Sequence, residues 1–242
     1  MSFARAVAMN LWDADSESLG ALKVKLLTTE DIPALVGLRN EVLAGLGNVD
    51  LYSREPDESA FVRSYIGTTG QGETLGVFNG NRLVAYGMLG FPDRNDAANL
   101  GCYFHQEKAE LARTGELVSC MVSEPYRGRR LQRVLVERRL ALARSRGRDF
   151  CVAMASLHNH ASRRNLMREG FRIGWVGELS GLRRHLLAID LAKSWAADDG
   201  PTLSIDANDW ERQRELTQQG WWGVDSTQIS AEQTRLVFAK HP

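Results

Sequence analysis

The chain has 242 residues, with 30 basic and 30 acidic side chains and no net charge at neutral pH. A hydrophobic content of 43% with 25% charged residues is that of an ordinary globular protein, and the neutral charge balance argues against a general binder of polyanions. One substantial core fits this length, with residues left over for an extension.

Cys102, Cys120 and Cys151 are odd in number and lack metal-ligand spacing, so they read as reduced thiols and no metal site is expected. No apolar run reaches the ~18 residues of a membrane span. Met1 to Leu11 lacks the apolar region of a signal peptide. These features point to a cytoplasmic protein with no membrane partner.

Residues 1–21 show no clear period and read as an arm, with a short helix around Arg5 to Trp12 as its one candidate element. Lys23 to Leu27 alternates like a strand. Thr28 to Asp31 then has the composition of a helix N-cap with acids in the first turn, ahead of Ile32, Leu35, Val36, Leu38, Val42 and Leu43 at helical spacing. Glu58 to Ile66 reads as a second, shorter helix. Thr74 to Phe78 and Leu83 to Leu89 flank Asn79-Gly80-Asn81, the signature of a β-hairpin. Pro92 to Gly115 has no long period beyond Gln106 to Ala112, and holds Tyr103, Phe104 and His105. A connection of this length is either a substrate-facing loop or an excursion that packs its own aromatics.

The stretch from Glu116 to Gly147 carries the most information. An apolar run, Glu116 to Val122, breaks at Pro125 and turns through Tyr126-Arg127-Gly128. From Leu131 onward the pattern is helical, with Leu131, Val134, Leu135 and Leu142 on one face and Arg138 the polar intruder. A helix N-terminus offers unpaired N–H groups and partial positive charge, and this one is fed by a basic turn. An anion, in particular a phosphate or pyrophosphate, is the expected guest. Between Pro125 and Phe171 arginines far outnumber the three acids Glu137, Asp149 and Glu169, so the positive charge of a neutral chain is gathered around this turn.

A strand at Phe150 to Ser156 leads to Asn159, a candidate N-cap accepting from Ser162 or Ala161 N–H, and to a helix closed by Gly170-Phe171. Phe171 to Val176 and Arg184 to Leu191 read as strands joined at Leu179-Ser180-Gly181. In the last fifty residues, Asp206 to Gln219 reads as a capped helix, followed by strands at Trp221 to Val224 and Arg235 to Ala239. Leu166, Gly170 and Phe171 are echoed by Leu216, Gly220 and Trp221, three positions that do not by themselves make a repeat. Trp195, Trp210, Trp221 and Trp222 cluster here and read as packing residues.

The segment from Glu116 to Phe171 resembles the cofactor-binding core of the GNAT superfamily, the acyl-CoA-dependent N-acyltransferases. Their signature, Arg/Gln-x-x-Gly-x-Gly/Ala, falls on Arg127, Gly128, Arg129, Arg130, Leu131 and Gln132. Arg130 stands at the first signature glycine and Gln132 at the second small residue. The resemblance spans roughly Lys23 to Leu191. It implies an α/β fold with a mixed, splayed and twisted sheet and helices on both faces, divided as an arm (1–21), an acyltransferase domain (22–191) and a Trp-rich C-terminal α/β extension packed on it (192–242).

The resemblance also implies roles. Glu116 would be the general base that takes a proton from an amine. N–H groups near Met121 and Val122 would hold the carbonyl oxygen of acetyl-CoA, the implied acyl donor. Arg127, Gly128, Arg129, Arg130, Leu131 and Gln132 would cradle its pyrophosphate, while Asn159 and Ser162 would meet its pantetheine arm. Arg130 is expected in helical φ/ψ, swung out of the cradle or onto the 3′-phosphate. Arg138, Arg139, Arg144 and Arg146 are expected on the helix surface. The family's Tyr acid falls on Leu166, and no Tyr follows Tyr126, which leaves Ser162, a water, His158 or His160 as substitutes. The implied substrate is a small-molecule or peptide amine, and a homodimer is an assembly the resemblance allows.

Two other classes of function stand beside this one: a non-catalytic GNAT-like domain that binds CoA and regulates, and a nucleic-acid-binding module. Zero net charge, and the lack of aromatics interleaved with the arginines, argue against the second.

Overall fold

The structure is a computed structural model that describes residues 20–52, 55–67, 70–105, 107–193, 200–230 and 233–240. The helix expected around Arg5 to Trp12 and Trp195 lie outside the described residues. The α/β class expected from sequence is what the structure shows, with added strands at the C-terminal end. Its residues fall into two compact units: the described parts of 1–47, 53–92 and 115–148 form one, and those of 48–52, 93–114 and 149–242 the other.

In the first unit the strands run in the order β1 (Leu22–Leu26), β2 (Gly72–Asn79), β3 (Arg82–Gly90), β4 (Thr114–Val122), each antiparallel to the next. Helices α1 (Ile32–Ala44) and α2 (Glu58–Ser64) follow β1. The N-cap region predicted at Thr28 is a capping box: Asp31 accepts from the Thr28 N–H at 2.9 Å, and the chain makes one 3-10 turn before α1. A second 3-10 turn, Glu124–Tyr126, leads from β4 towards α4 (Leu131–Ser145).

Adjacent residues of β3 show how the sheet is sandwiched. Tyr86 points to α1, where its hydroxyl meets Arg39. The neighbouring Gly87 points to α4, where an added Cβ would lie 2.8 Å from Arg139 Nε.

Leu131, Leu135 and Leu142 are buried as expected, but the polar intruder on the buried face of α4 is Arg139, not Arg138. Arg139 is 2% exposed and donates to Leu135 O (3.0 Å) and Met88 O (3.1 Å). The expectation that it is a surface charge is therefore corrected: carbonyl oxygens satisfy the guanidinium inside the core, with Gly87 leaving it room.

The second unit contains α3 (Lys108–Leu111), β5 (Phe150–Ser156), α5 (His160–Arg168), β6 (Arg172–Leu179), β7 (Leu182–Asp190), β8 (Thr202–Asp206), α6 (Trp210–Gln218), β9 (Trp221–Gln228) and β10 (Thr234–Lys240). Its strands are ordered β5-β7-β6-β9-β10-β8, antiparallel at every junction. Strand β8 was not expected from sequence. In the 93–105 connection Phe104 packs inward on Phe150 and Trp222, whereas Tyr103 stays exposed and leans on the Trp175 ring. Arg113 anchors its base, donating to Glu110, Asp149 and Asp190.

Candidate active site

Strand β4 breaks register. Glu116 lies opposite Gly90 and Leu117 opposite Leu89, yet Cys120 already lies opposite Gly87, so Val118 and Ser119 together face the single Met88. A β-bulge of this kind re-aims side chains. Ser119 Oγ lies 3.0 Å from Tyr86 Oη and accepts from Arg39 Nη1 at 3.3 Å, on the α1 side. A Cβ on Gly90 would sit 3.2 Å from Val118 Cγ2, 3.3 Å from the Tyr65 ring and 3.5 Å from Glu116 Cβ. Glu116, Val118, Ser119 and, opposite Tyr86, Met121 thus share the face covered by α1 and α2, with Leu117, Cys120 and Val122 on the α4 face. Glu116 is half-buried there, beside Tyr65.

Beneath that face lies a polar network with no counterpart in the sequence reading. Arg39, 1% exposed, forms an ion pair with Glu58 of α2 and donates to Tyr86 Oη at 2.7 Å. It also lies 4.9 Å from the Phe61 ring centroid. Arg39 falls four residues after Leu35 on the apolar stripe of α1, the one signal in the sequence that it turns inward. It ties α1 to α2 and both to β3 and β4.

The N–H groups of Met121 and Val122, both expected near the carbonyl oxygen, point in opposite directions. Ser123 N–H donates across to Val84 O at 2.9 Å, and successive N–H groups along a strand alternate in direction. Met121 N–H is therefore turned towards β3 and Val122 N–H away from it, to the strand's other edge.

The turn after β4 is pinned and basic. Ser123 Oγ donates to Glu41 at 2.6 Å, Asn79 donates to Tyr126 Oη at 2.8 Å, and the Arg129 guanidinium lies 5.1 Å from the Tyr126 ring centroid. Arg127, Gly128, Arg129 and Arg130 are exposed. Gly128 has φ +78° and Arg130 has φ +61°, ψ +14°.

Arg130 is not in helical φ/ψ as expected. It is the N-cap of α4 in the left-handed conformation that a side chain disfavours. The signature glycine is thus a backbone requirement, met here by an arginine at a cost in strain. No side chain caps α4 and no acid lies in its first turn, which suits an anion. Leu131, 2% exposed, faces the core and can contribute only its backbone; Gln132 is half-buried.

In the second unit, Asn159 is the N-cap of α5 and its Oδ1 accepts from Ser162 N–H at 3.0 Å, as expected, leaving its amide NH2 to donate elsewhere. His158 is exposed. His160 Nδ1 accepts from Arg163 at 2.6 Å, and burial together with that guanidinium lowers its pKa, so the ring is neutral. Leu166 is 4% exposed and packed in the core, so no acid replaces the family tyrosine there. Arg163 is wholly buried, and its Nε has no hydrogen-bond partner among the described residues. Desolvation lowers its pKa to about 10.

A bulged strand carrying a carboxylate is thus followed by a basic turn with two left-handed residues and by an uncapped helix N-terminus. The acetyltransferase (GNAT) family model matches residues 40–171, more than half of the chain. The chain belongs to that family, whose members use acetyl-CoA as donor, and it is an acetyltransferase.

Solved structures agree on the fold. The protein yncA of Salmonella typhimurium, solved with its cofactor acetyl-CoA, is 20% identical with a TM-score of 0.55, over 74% of this chain and 99% of its own. A GCN5-related N-acetyltransferase from Kribbella flavida is 18% identical with a TM-score of 0.55, over 71% and 98%. An N-acetyltransferase from Staphylococcus aureus Mu50 is 17% identical with a TM-score of 0.54, over 70% and 98%. Comparison with curated proteins returned no match. Among the described residues no helix is long and apolar enough to cross a membrane.

Proposed function

We propose that the protein moves an acetyl group from acetyl-CoA to a primary amine by direct attack, with Glu116 as general base. The observation that carries this reading is the β4 bulge, which sets Glu116 on the face shared with Tyr65, α1 and α2 while Val122 N–H points to the strand's far edge. Bound acetyl-CoA supplies an activated thioester. The Arg127–Gln132 turn and the α4 N-terminus hold its phosphates. Glu116 takes the ammonium proton, so the amine nitrogen can attack the carbonyl carbon. Val122 N–H steadies the negative charge that develops on the carbonyl oxygen. The carbon–sulfur bond then breaks, the nitrogen gives its second proton to solvent water, and the thiolate leaves without a tyrosine to protonate it.

A second reading, a CoA-binding domain that regulates without catalysis, draws on Leu166 at the acid position and strained Arg130 in the cradle. Release of free CoA thiol from acetyl-CoA in the presence of a panel of primary amines separates the two. Glu116→Gln should lower turnover by about 10² to 10⁴ while leaving CoA affinity unchanged. Turnover near that of the parent across the pH range would remove Glu116 from the mechanism, and no turnover with any amine despite CoA binding would favour the regulatory reading.

A further inference from the structure

The strand, turn and helix that begin at β5 recur fifty residues later. Asp209 caps α6 by accepting from Arg212 N–H at 3.1 Å, as Asn159 caps α5. One turn further on, Arg163 and Gln213 are both wholly buried, and each reaches back to a carbonyl six residues before it: Arg163 Nη1 to Leu157 O (3.1 Å), Gln213 Nε2 to Ala207 O (2.8 Å). The turn bonds repeat at the same offset, with Asn159 N to Ser156 O and Asp209 N to Asp206 O, then His160 N to His158 O and Trp210 N to Asn208 O. Both helices have nine residues and end at a left-handed glycine, Gly170 (φ +94°) and Gly220 (φ +76°). A hairpin follows each, and β8 pairs with β10 as β5 pairs with β7.

The two sets meet where β6 pairs with β9, at Ile173 opposite Gly223, positions that are themselves fifty apart. Equivalent residues facing one another mark a two-fold axis, and the packing is reciprocal, α5 lying on β9 and α6 on β6. This is the geometry of an isologous interface between two copies of a protein, contained in one chain. The copies differ at the helix start. The second has Asp206, Asp209 and Trp210 where the first has Ser156, Asn159 and His160, so it presents acids where an anionic ligand would approach, and Trp210 is buried beneath Arg183.

We infer that residues 202–240 are an internal copy of 152–190 that stands on the β6 edge in the place of a partner subunit, so the protein is a monomer, and that the copy's own ligand end is disabled. The last clause rests on the acetyltransferase reading; the rest does not.

A Cβ on Gly223 would lie 3.0 Å from Ile173 Cβ, so a small shift brings a cysteine pair there into disulfide range. In full-length protein carrying Ile173→Cys, Gly223→Cys and Cys102→Ser, oxidation should link the two within one chain, which keeps the mobility of a monomer on non-reducing denaturing gels and removes two thiols from alkylation of the unfolded chain. Links between chains, or none, would overturn the inference. Sedimentation equilibrium of the unaltered protein, which does not depend on the variant folding, should give 27.0 kDa from nanomolar to micromolar concentration. A concentration-dependent doubling of mass would overturn it. Equilibrium dialysis against CoA should give one equivalent per chain; two would overturn the disabled end, whereas none would count against the acetyltransferase reading while the cross-link still decides the copy.

Discussion

His185 Nε2 lies 2.7 Å from Gln213 Oε1, and because Gln213 Nε2 is already donating to Ala207 O, the imidazole must be the donor. The proton therefore sits on Nε2, and Nδ1 is a bare, buried acceptor without a hydrogen-bond partner among the described residues. Burial first, and then the nearby Arg163 charge, hold the His185 pKa down to about 3.

A depressed histidine costs stability as pH falls. The unfolded chain takes up a proton below its ordinary value near 6.5 while the folded chain stays neutral, so this contribution is complete above pH 6.5 and is lost on the way down to about 3. The loss should approach about 1.4 kcal/mol per pH unit in that window. Urea unfolding of the protein and of His185→Gln at neutral pH and at pH 4.5 checks this. The variant should show a smaller loss, and equal losses would mean that His185 is protonated without penalty.

Arg130→Gly should stabilise the fold by about 1 kcal/mol, since glycine meets φ +61° without a Cβ. Denaturant midpoints with unchanged slope would record it. A loss of stability would show that the arginine side chain compensates for its own backbone strain, and titration of CoA into both proteins would show whether that compensation comes from the ligand.

Removing one partner from the Arg39–Glu58 pair should be asymmetric. Glu58→Gln leaves a guanidinium that is 1% exposed without its carboxylate, at a cost of about 2 to 3 kcal/mol after allowance for Glu58 being partly wet. Arg39→Met removes the charge, and Tyr86 and Ser119 keep their mutual 3.0 Å bond, so it should cost less. Thermal melts of the two variants decide the order.

CoA or acetyl-CoA at about 100 times the dissociation constant should stabilise the protein by roughly 2.7 kcal/mol, a shift of several degrees in the melting midpoint. The absence of a shift with either would contradict the proposed binding of CoA phosphates at Arg127 to Gln132.

Local signals were legible in the sequence wherever one residue type dictates one local geometry. The Asn79-Gly80-Asn81 hairpin, the Asn159 cap on Ser162 and the strand at Phe150 to Ser156 all appear as expected. The β4 bulge was not legible, because register depends on which residues of β3 lie opposite and not on the composition of β4. Arg39, Arg139 and Arg163 were hidden for a related reason: arginine is ordinarily exposed, and its burial depends on distant acceptors such as Glu58 and Met88 O. Strand β8 is five residues long and carries no strong alternation. The echo of Leu166, Gly170 and Phe171 in Leu216, Gly220 and Trp221 was visible, yet what makes it a repeat is hydrogen bonding through Asn159, Asp209, Arg163 and Gln213, whose identities differ.

The pairing of Ile173 with Gly223 has one more effect. Two separate chains joined at such a seam come apart on dilution, whereas strands tethered by one polypeptide meet at an effective concentration fixed by the linker. The seam between β6 and β9 is thus equally populated however scarce the protein is in its cell, and its amount can fall without any change in the shape of each molecule.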